Sequence, residues 1–146
     1  MRAMMSLRLE KSFGAWLREF RPDYMPAETG LDRFVDYQKP GDFIGKRAVL
    51  DEKEKGPARK LCTFVVEAAD ADVHGDEPIW VGGDVVGFVT SGGFAHYCNV
   101  SVAIGFLPVA LITEGREVEI EILGERRNAR LITEPLFDPK GERMRR

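Results

Sequence analysis

Cysteine is scarce: Cys62 and Cys98 are the only two in 146 residues. They lie far apart without a CxxC spacing, which excludes a disulfide scaffold and a thiolate metal site and leaves two buried free thiols in a reducing compartment as the expectation. Basic residues are not in excess, with 21 Lys and Arg against 24 Asp and Glu and a formal net charge of −3. That balance argues against a nucleic-acid binder, because neutralising phosphates requires a surplus of cations on one face. Long apolar runs are missing too. The most apolar stretch, residues 100–112, is too short to span a bilayer and is interrupted by Gly105 and Pro108, so it reads as a buried strand and its exit. Charged residues follow Met1-Arg2-Ala3-Met4-Met5 within a few positions, from Arg8 on, where a signal peptide would need an apolar core, and a cytoplasmic chain is expected. Neither an internal repeat nor a low-complexity tract occurs.

What is present is an ordinary globular composition, 44% hydrophobic and 31% charged, in a chain long enough to bury a real core. Met1, Met4, Met5 and Leu9 recur near helical spacing and suggest the last turns of a helix. Phe13, Trp16, Leu17 and Phe20 fit one apolar helix or turn face, which Pro22 and Pro26 then break. Asp42 is expected to cap a helix containing Phe43, Ile44, Ala48, Val49 and Leu50, ending at Gly56-Pro57. Beyond that dipeptide the period drops to two, as in Leu61-Cys62-Thr63-Phe64-Val65-Val66 and Val118-Glu119-Ile120-Glu121-Ile122, the pattern of half-buried strands.

Residues 78–81 and 85–90 flank Gly82-Gly83-Asp84, a hairpin turn, and residues 118–123 and 128–133 flank Gly124-Glu125-Arg126-Arg127, a second one. Short strands with glycine turns suggest a small antiparallel barrel, which closes its own edges. The expected fold is mainly β: a short α/β N-terminal remnant over residues 1–56, a small antiparallel β-barrel over 57–137, and a basic tail over 138–146.

Thr90-Ser91-Gly92-Gly93 places a serine beside glycines, but Gly-x-Ser-x-Gly spacing is absent and neither His74 nor His96 has an evident acid partner. A hydrolase elbow is therefore rejected.

The ordered set Leu7-Arg8-Leu9-Glu10, Pro26 through Gly30-Leu31, Asp42-Phe43-Ile44-Gly45-Lys46, Gly87-Phe88-Val89-Thr90-Ser91-Gly92, Ala103-Ile104-Gly105-Phe106-Leu107-Pro108 and Pro135-Leu136-Phe137-Asp138-Pro139 resembles the folate-dependent aminomethyltransferase family. That family includes the glycine cleavage T-protein and the C-terminal parts of dimethylglycine oxidase and sarcosine dehydrogenase. The resemblance covers nearly the whole chain. It implies a tetrahydrofolate-dependent one-carbon (aminomethyl or methyl) transferase, of which residues 1–56 form the end of the folate-binding α/β region and the following strands the C-terminal barrel. The family's catalytic aspartate lies upstream of the Arg-x-Glu segment, so no catalytic residue is assigned here, and the partner implied is a missing N-terminal transferase half or a dehydrogenase subunit. An FAD-binding module upstream would point to an amine dehydrogenase. The competing expectation is a non-catalytic module that docks on a separate half through apolar surface at Met4, Met5, Phe13 and Phe20.

The resemblance also implies site residues. Glu10 matches the carboxylate that accepts the paired N–H donors of the pterin edge; the bland alternative is a surface glutamate paired with Arg8 or Lys11. Trp16 falls where an aromatic residue would stack on the flat body of folate, Lys39 near a family arginine, and Arg143 in a segment that returns toward the anionic glutamate tail. Lys39 would keep the charge of an arginine but lose its planar fork. No metal ligand set is expected.

Overall fold

The computed structural model describes residues 2–145. Three short helices precede the strands: α1 (Arg2–Glu10), α2 (Pro26–Thr29) and α3 (Lys46–Lys55). Six strands follow, β1 (Arg59–Val66), β2 (Pro78–Val81), β3 (Asp84–Ala95), β4 (Val100–Pro108), β5 (Glu117–Ile122) and β6 (Glu125–Ile132). They close into an antiparallel barrel in the order β1-β4-β3-β2-β5-β6. The mainly β expectation is borne out, with a small N-terminal part that is helical and carries an isolated bridge between Trp16 and Phe20.

Alternation along β1 and β5 sends Phe64, Val66, Val118, Ile120 and Ile122 into the barrel interior with Ile79, Val89 and Leu131. β4 does not alternate, being buried from Ser101 to Leu107. Its second face is covered by α1: Leu9 packs with Ala95, Val102 and Ile104 in a second core cluster. A strand buried on both faces reads as a continuous apolar run, which is why residues 100–112 are so apolar.

Both hairpins form, through two-residue turns. Gly82 (φ 60°) and Gly83 (φ 98°) link β2 to β3, both in the left-handed region that such turns demand. The second turn is tighter than the sequence suggests: Leu123 and Gly124 make it alone, and β6 already starts at Glu125. Leu123 adopts φ 52° and projects into solvent.

The expected cap at Asp42 is wrong. Its Oδ1 accepts the N–H of the adjacent Phe43 at 2.9 Å, and the chain turns through Gly45 (φ 89°) before α3 begins at Lys46. Ile44 is consequently fully exposed and Val49 is the residue of α3 that is buried. α3 ends at Gly56, whose N–H donates to the Glu52 carbonyl at 2.8 Å.

Candidate functional site

Glu10 closes α1 and is 1% exposed, so it is neither a surface residue nor a partner of its neighbours. Arg8 pairs instead with Glu19, and Lys11 with Asp138. Glu10 Oε1 accepts the main-chain N–H of Tyr97 at 2.8 Å. Tyr97 sits in the turn His96-Tyr97-Cys98-Asn99 that joins β3 to β4, with Asn99 at φ 57°. Ser6 fixes α1 to the same turn, donating to the Phe94 carbonyl at 3.0 Å and accepting the His96 N–H at 3.1 Å.

The tail returns to this point. Phe137 N–H donates to the Glu10 carbonyl at 3.0 Å, and the Phe137 ring meets Tyr97 edge-on with centroids 4.9 Å apart. Asp138 Oδ1 then accepts the N–H groups of Glu142 (2.8 Å) and Arg143 (3.4 Å), which folds the last turn back. Arg143 Nη1 thereby donates to the Tyr97 phenol oxygen at 3.3 Å, a bond that pushes the guanidinium pKa up. Cys98 lies in the same region and is only partly buried, correcting the expectation of two buried thiols. Burial, and then the Glu10 charge, push its thiol pKa up.

A second buried carboxylate supports the first. Glu19 is fully buried and accepts from Arg8 Nη1 at 3.3 Å, the Ala15 N–H at 2.7 Å and Thr90 Oγ1 at 2.6 Å, and from the Ser91 hydroxyl. Adjacent strand residues normally face opposite ways. Here the register with β4 slips between Val89 and Ser91, a bulge that turns both hydroxyls onto Glu19. The hub joins α1 to β3 two residues before Glu10. It also explains Ser91 without nucleophilic chemistry, since its hydroxyl is buried and committed to a carboxylate. Gly92 follows because a Cβ there would stand 2.5 Å from the Val73 Cβ.

Of the residues singled out from the sequence, Glu10 and Arg143 are brought together through Tyr97. Trp16 lies in the turns after α1 with its side chain 76% exposed, not in the core. Lys39 is exposed in the turn before α3, where its carbonyl accepts Lys46 Nζ at 2.8 Å. Among the described residues, no hydrogen bond or ion pair joins either to the Glu10 cluster. The sequence reading gave no role to Glu19 or Tyr97 and quoted Phe137 only as part of a motif. Nothing in local spacing marks Glu19, whose partners on β3 are 71 and 72 residues away.

The profile of the family described as "Glycine cleavage T-protein C-terminal barrel domain" matches residues 59–138, from the first residue of β1 through the segment that docks on Glu10. The chain belongs to this family. Among curated relatives of this barrel family, human mitochondrial dimethylglycine dehydrogenase is 42% identical over 146 residues, covering 99% of this chain and 17% of the dehydrogenase. An aminomethyltransferase of Symbiobacterium thermophilum is 37% identical over 133 residues, covering 90% of this chain and 35% of that enzyme. The crystal structure of glycine cleavage system aminomethyltransferase T from Bartonella henselae superimposes with a TM-score of 0.85 at 29% identity, covering 94% of this chain and 38% of that one. The resemblance read from the ordered motifs is borne out, and the chain spans well under half the length of each of these relatives.

Proposed function

We propose that this chain is the folate-binding and barrel portion of a tetrahydrofolate-dependent one-carbon transferase, in which Glu10 reads the pterin and Arg143 the tail carboxylate. The observation that carries this reading is the convergence of a buried carboxylate and an exposed guanidinium on Tyr97. A pterin edge offers paired N–H donors. A buried carboxylate whose orientation is fixed by a main-chain N–H has acceptor capacity left for them. Tetrahydrofolate, when bound, supplies the nitrogen that accepts the one-carbon unit.

The roles of this chain's own residues are binding and orientation. Tyr97 holds Glu10 from one side and Arg143 from the other, Phe137 buttresses the Tyr97 ring, and the Glu19 hub fixes the helix end that carries Glu10. The exposed indole of Trp16 and ammonium of Lys39 complete the proposal as a stacking surface and a second cation. No residue here is assigned the proton transfer. Catalysis is placed in a segment upstream of residues 1–56, with FAD there if the whole protein is an amine dehydrogenase. A cytoplasmic address belongs to the same proposal. Among the described residues no helix is long and apolar enough to cross a membrane, and the mammalian relatives are named as mitochondrial.

Calorimetric titration of tetrahydrofolate into the protein, with and without Glu10→Gln, tests the assignment. Loss of a charge-assisted bond of about 1.5–3 kcal/mol weakens binding by roughly ten- to a hundredfold, and unchanged affinity removes Glu10 from the site.

A second reading, a structural module that docks on a separate transferase or dehydrogenase half, is favoured by the exposure of Met4 (60%), Leu7 (58%), Phe13 (47%) and Leu17 (69%) at the N-terminal end. A monomer on gel filtration with a cooperative melt and no partner counts against it.

A further inference from the structure

Strand β6 ends where two neighbours compete for it. On one side lies β1, and pairing with it stops at Thr63 and Ile132 although β1 extends back to Arg59. Val109 N–H donates to the Ala58 carbonyl, in register with the β1–β4 ladder. Hydrogen-bonding groups alternate sides along an antiparallel strand. Lys60 and Cys62 therefore face β4, and the N–H and C=O of Leu61 face the side that β6 has left. Continued pairing in the same register sets Glu134 opposite Leu61.

On the other side lies the turn before β5. Leu131 N–H donates to the Arg116 carbonyl at 2.9 Å, and the Leu131 carbonyl accepts the Gly115 N–H at 3.0 Å. A side chain then takes over from the main chain. Glu114 Oε2 accepts the Thr133 hydroxyl at 2.5 Å and the Thr133 N–H at 2.7 Å. The hydroxyl first, and then the N–H, hold the Glu114 carboxyl below its usual range, as bonds to the charged form do.

The direction taken at Thr133 reaches the site within a few residues. Leu136 packs against the cluster of Leu9, Ala95, Val102 and Ile104, and Phe137 N–H donates to the Glu10 carbonyl. Four residues of extended chain span at most about 14 Å, so Phe137 has little freedom to correct a wrong start. Asp138 then folds the last turn toward Tyr97 through the N–H groups of Glu142 and Arg143.

We propose that Glu114 is a positioning residue for the Glu10–Tyr97 cluster: by holding Thr133 off the open edge of β1, it launches the following segment so that Phe137 and Arg143 arrive at Tyr97. Its consequence for ligand binding rests on the folate reading above.

NMR on the full chain follows the contact between the Tyr97 and Phe137 rings, whose centroids lie 4.9 Å apart. The proteins compared are wild type, Glu114→Ala, Glu114→Gln and the control Glu67→Ala, which removes a different carboxylate bonded to β6, at Asn128. Calorimetry measures tetrahydrofolate affinity in the same proteins, in Arg143→Gln and in Glu114→Ala/Arg143→Gln. The ring contact is lost in Glu114→Ala and kept in Glu67→Ala and in Glu114→Gln, which retains an acceptor oxygen. Tetrahydrofolate binds about fivefold more weakly to Glu114→Ala. Adding Arg143→Gln weakens it no further, because Arg143 has already left Tyr97, and a loss of stability alone does not couple two residues in this way. Survival of the ring contact in Glu114→Ala, its loss in Glu114→Gln or Glu67→Ala, or additive effects of Glu114→Ala and Arg143→Gln overturns the proposal. If the wild type does not bind tetrahydrofolate, the folate reading falls, and the ring contact alone decides whether Glu114 positions the segment. If Glu114→Ala does not fold, Thr133→Val, which removes the hydroxyl and keeps the main-chain donor, replaces it in each comparison.

Discussion

The main-chain N–H of Tyr97 points at Glu10 Oε1 across 2.8 Å, so a loop between two barrel strands holds the side chain that ends the first helix. Because the donor is backbone, the contact is independent of the residue type at 97. The phenol is then free to serve Arg143 at 3.3 Å. Orientation of the carboxylate and recruitment of the tail are thus separable by mutation.

Tyr97→Phe removes the phenol acceptor and keeps the N–H. On the proposed folate reading, loss of a hydrogen bond contributing about 0.5–1.5 kcal/mol net weakens tetrahydrofolate binding by roughly two- to twelvefold, less than Glu10→Gln does. An effect as large as that of Glu10→Gln, measured by the same calorimetry, contradicts the separation of roles.

Glu19→Gln leaves Arg8 buried without its counter-ion. Burial already lowers the Arg8 pKa, opposed by the Glu19 charge, and Nε and Nη2 of Arg8 have no partner of their own. Breaking one side of a buried pair costs about 3–5 kcal/mol, to be read from urea unfolding. A change below about 1 kcal/mol would show the pair to be dispensable.

The two leucines flanking Arg8 separate by packing. Leu9 is 2% exposed against β4, whereas Leu7 is 58% exposed. Leu9→Ala lowers stability by about 2–5 kcal/mol, while Leu7→Ala stays within about 0.5 kcal/mol. Equal losses in thermal or urea melts would mean that α1 packs on the barrel by another face.

The thiols differ in reactivity. Burial pushes Cys62 up to about 12, so at pH 8 a thiol reagent modifies Cys98 first and Cys62 only on unfolding, since the thiolate is the reactive form. The raised folded value also sets the sign of the pH effect on stability. The contribution of Cys62 is intact below about pH 9 and is lost as pH rises from there toward 12. Mass spectrometry of partially labelled protein decides the order, and faster labelling of Cys62 refutes the burial.

Much of the barrel was legible because its signals are local. Period-two alternation marks β1 and β5 whatever their partners, Gly82-Gly83 specifies its turn by backbone freedom, and Gly56-Pro57 sits where the period changes. The misreadings were also local. Asp42 offers the chemistry of a cap, yet its carboxylate is satisfied by the next N–H. The second turn was read as four residues because Leu123 at positive φ is an unfavourable choice that a propensity argument does not make.

The site behaves differently. Glu10 was found through the ordered motifs around it, but its burial, its bond to Tyr97 and the return of Arg143 depend on contacts between residues 46 to 87 positions apart. Trp16 fitted an apolar helical face by spacing, and in the folded chain that face is a turn open to solvent.

By itself, then, the sequence determined the barrel strands, most of their turns and the family, since side-chain alternation and glycine conformation act within a few residues. The tertiary structure alone decided that β4 is covered on both faces, that a bulge at Thr90 turns two hydroxyls onto Glu19, and that Tyr97 joins Glu10 to Arg143. Those outcomes are set by strand register and by the burial of polar groups that must find partners across the fold, quantities that no short window of residues contains.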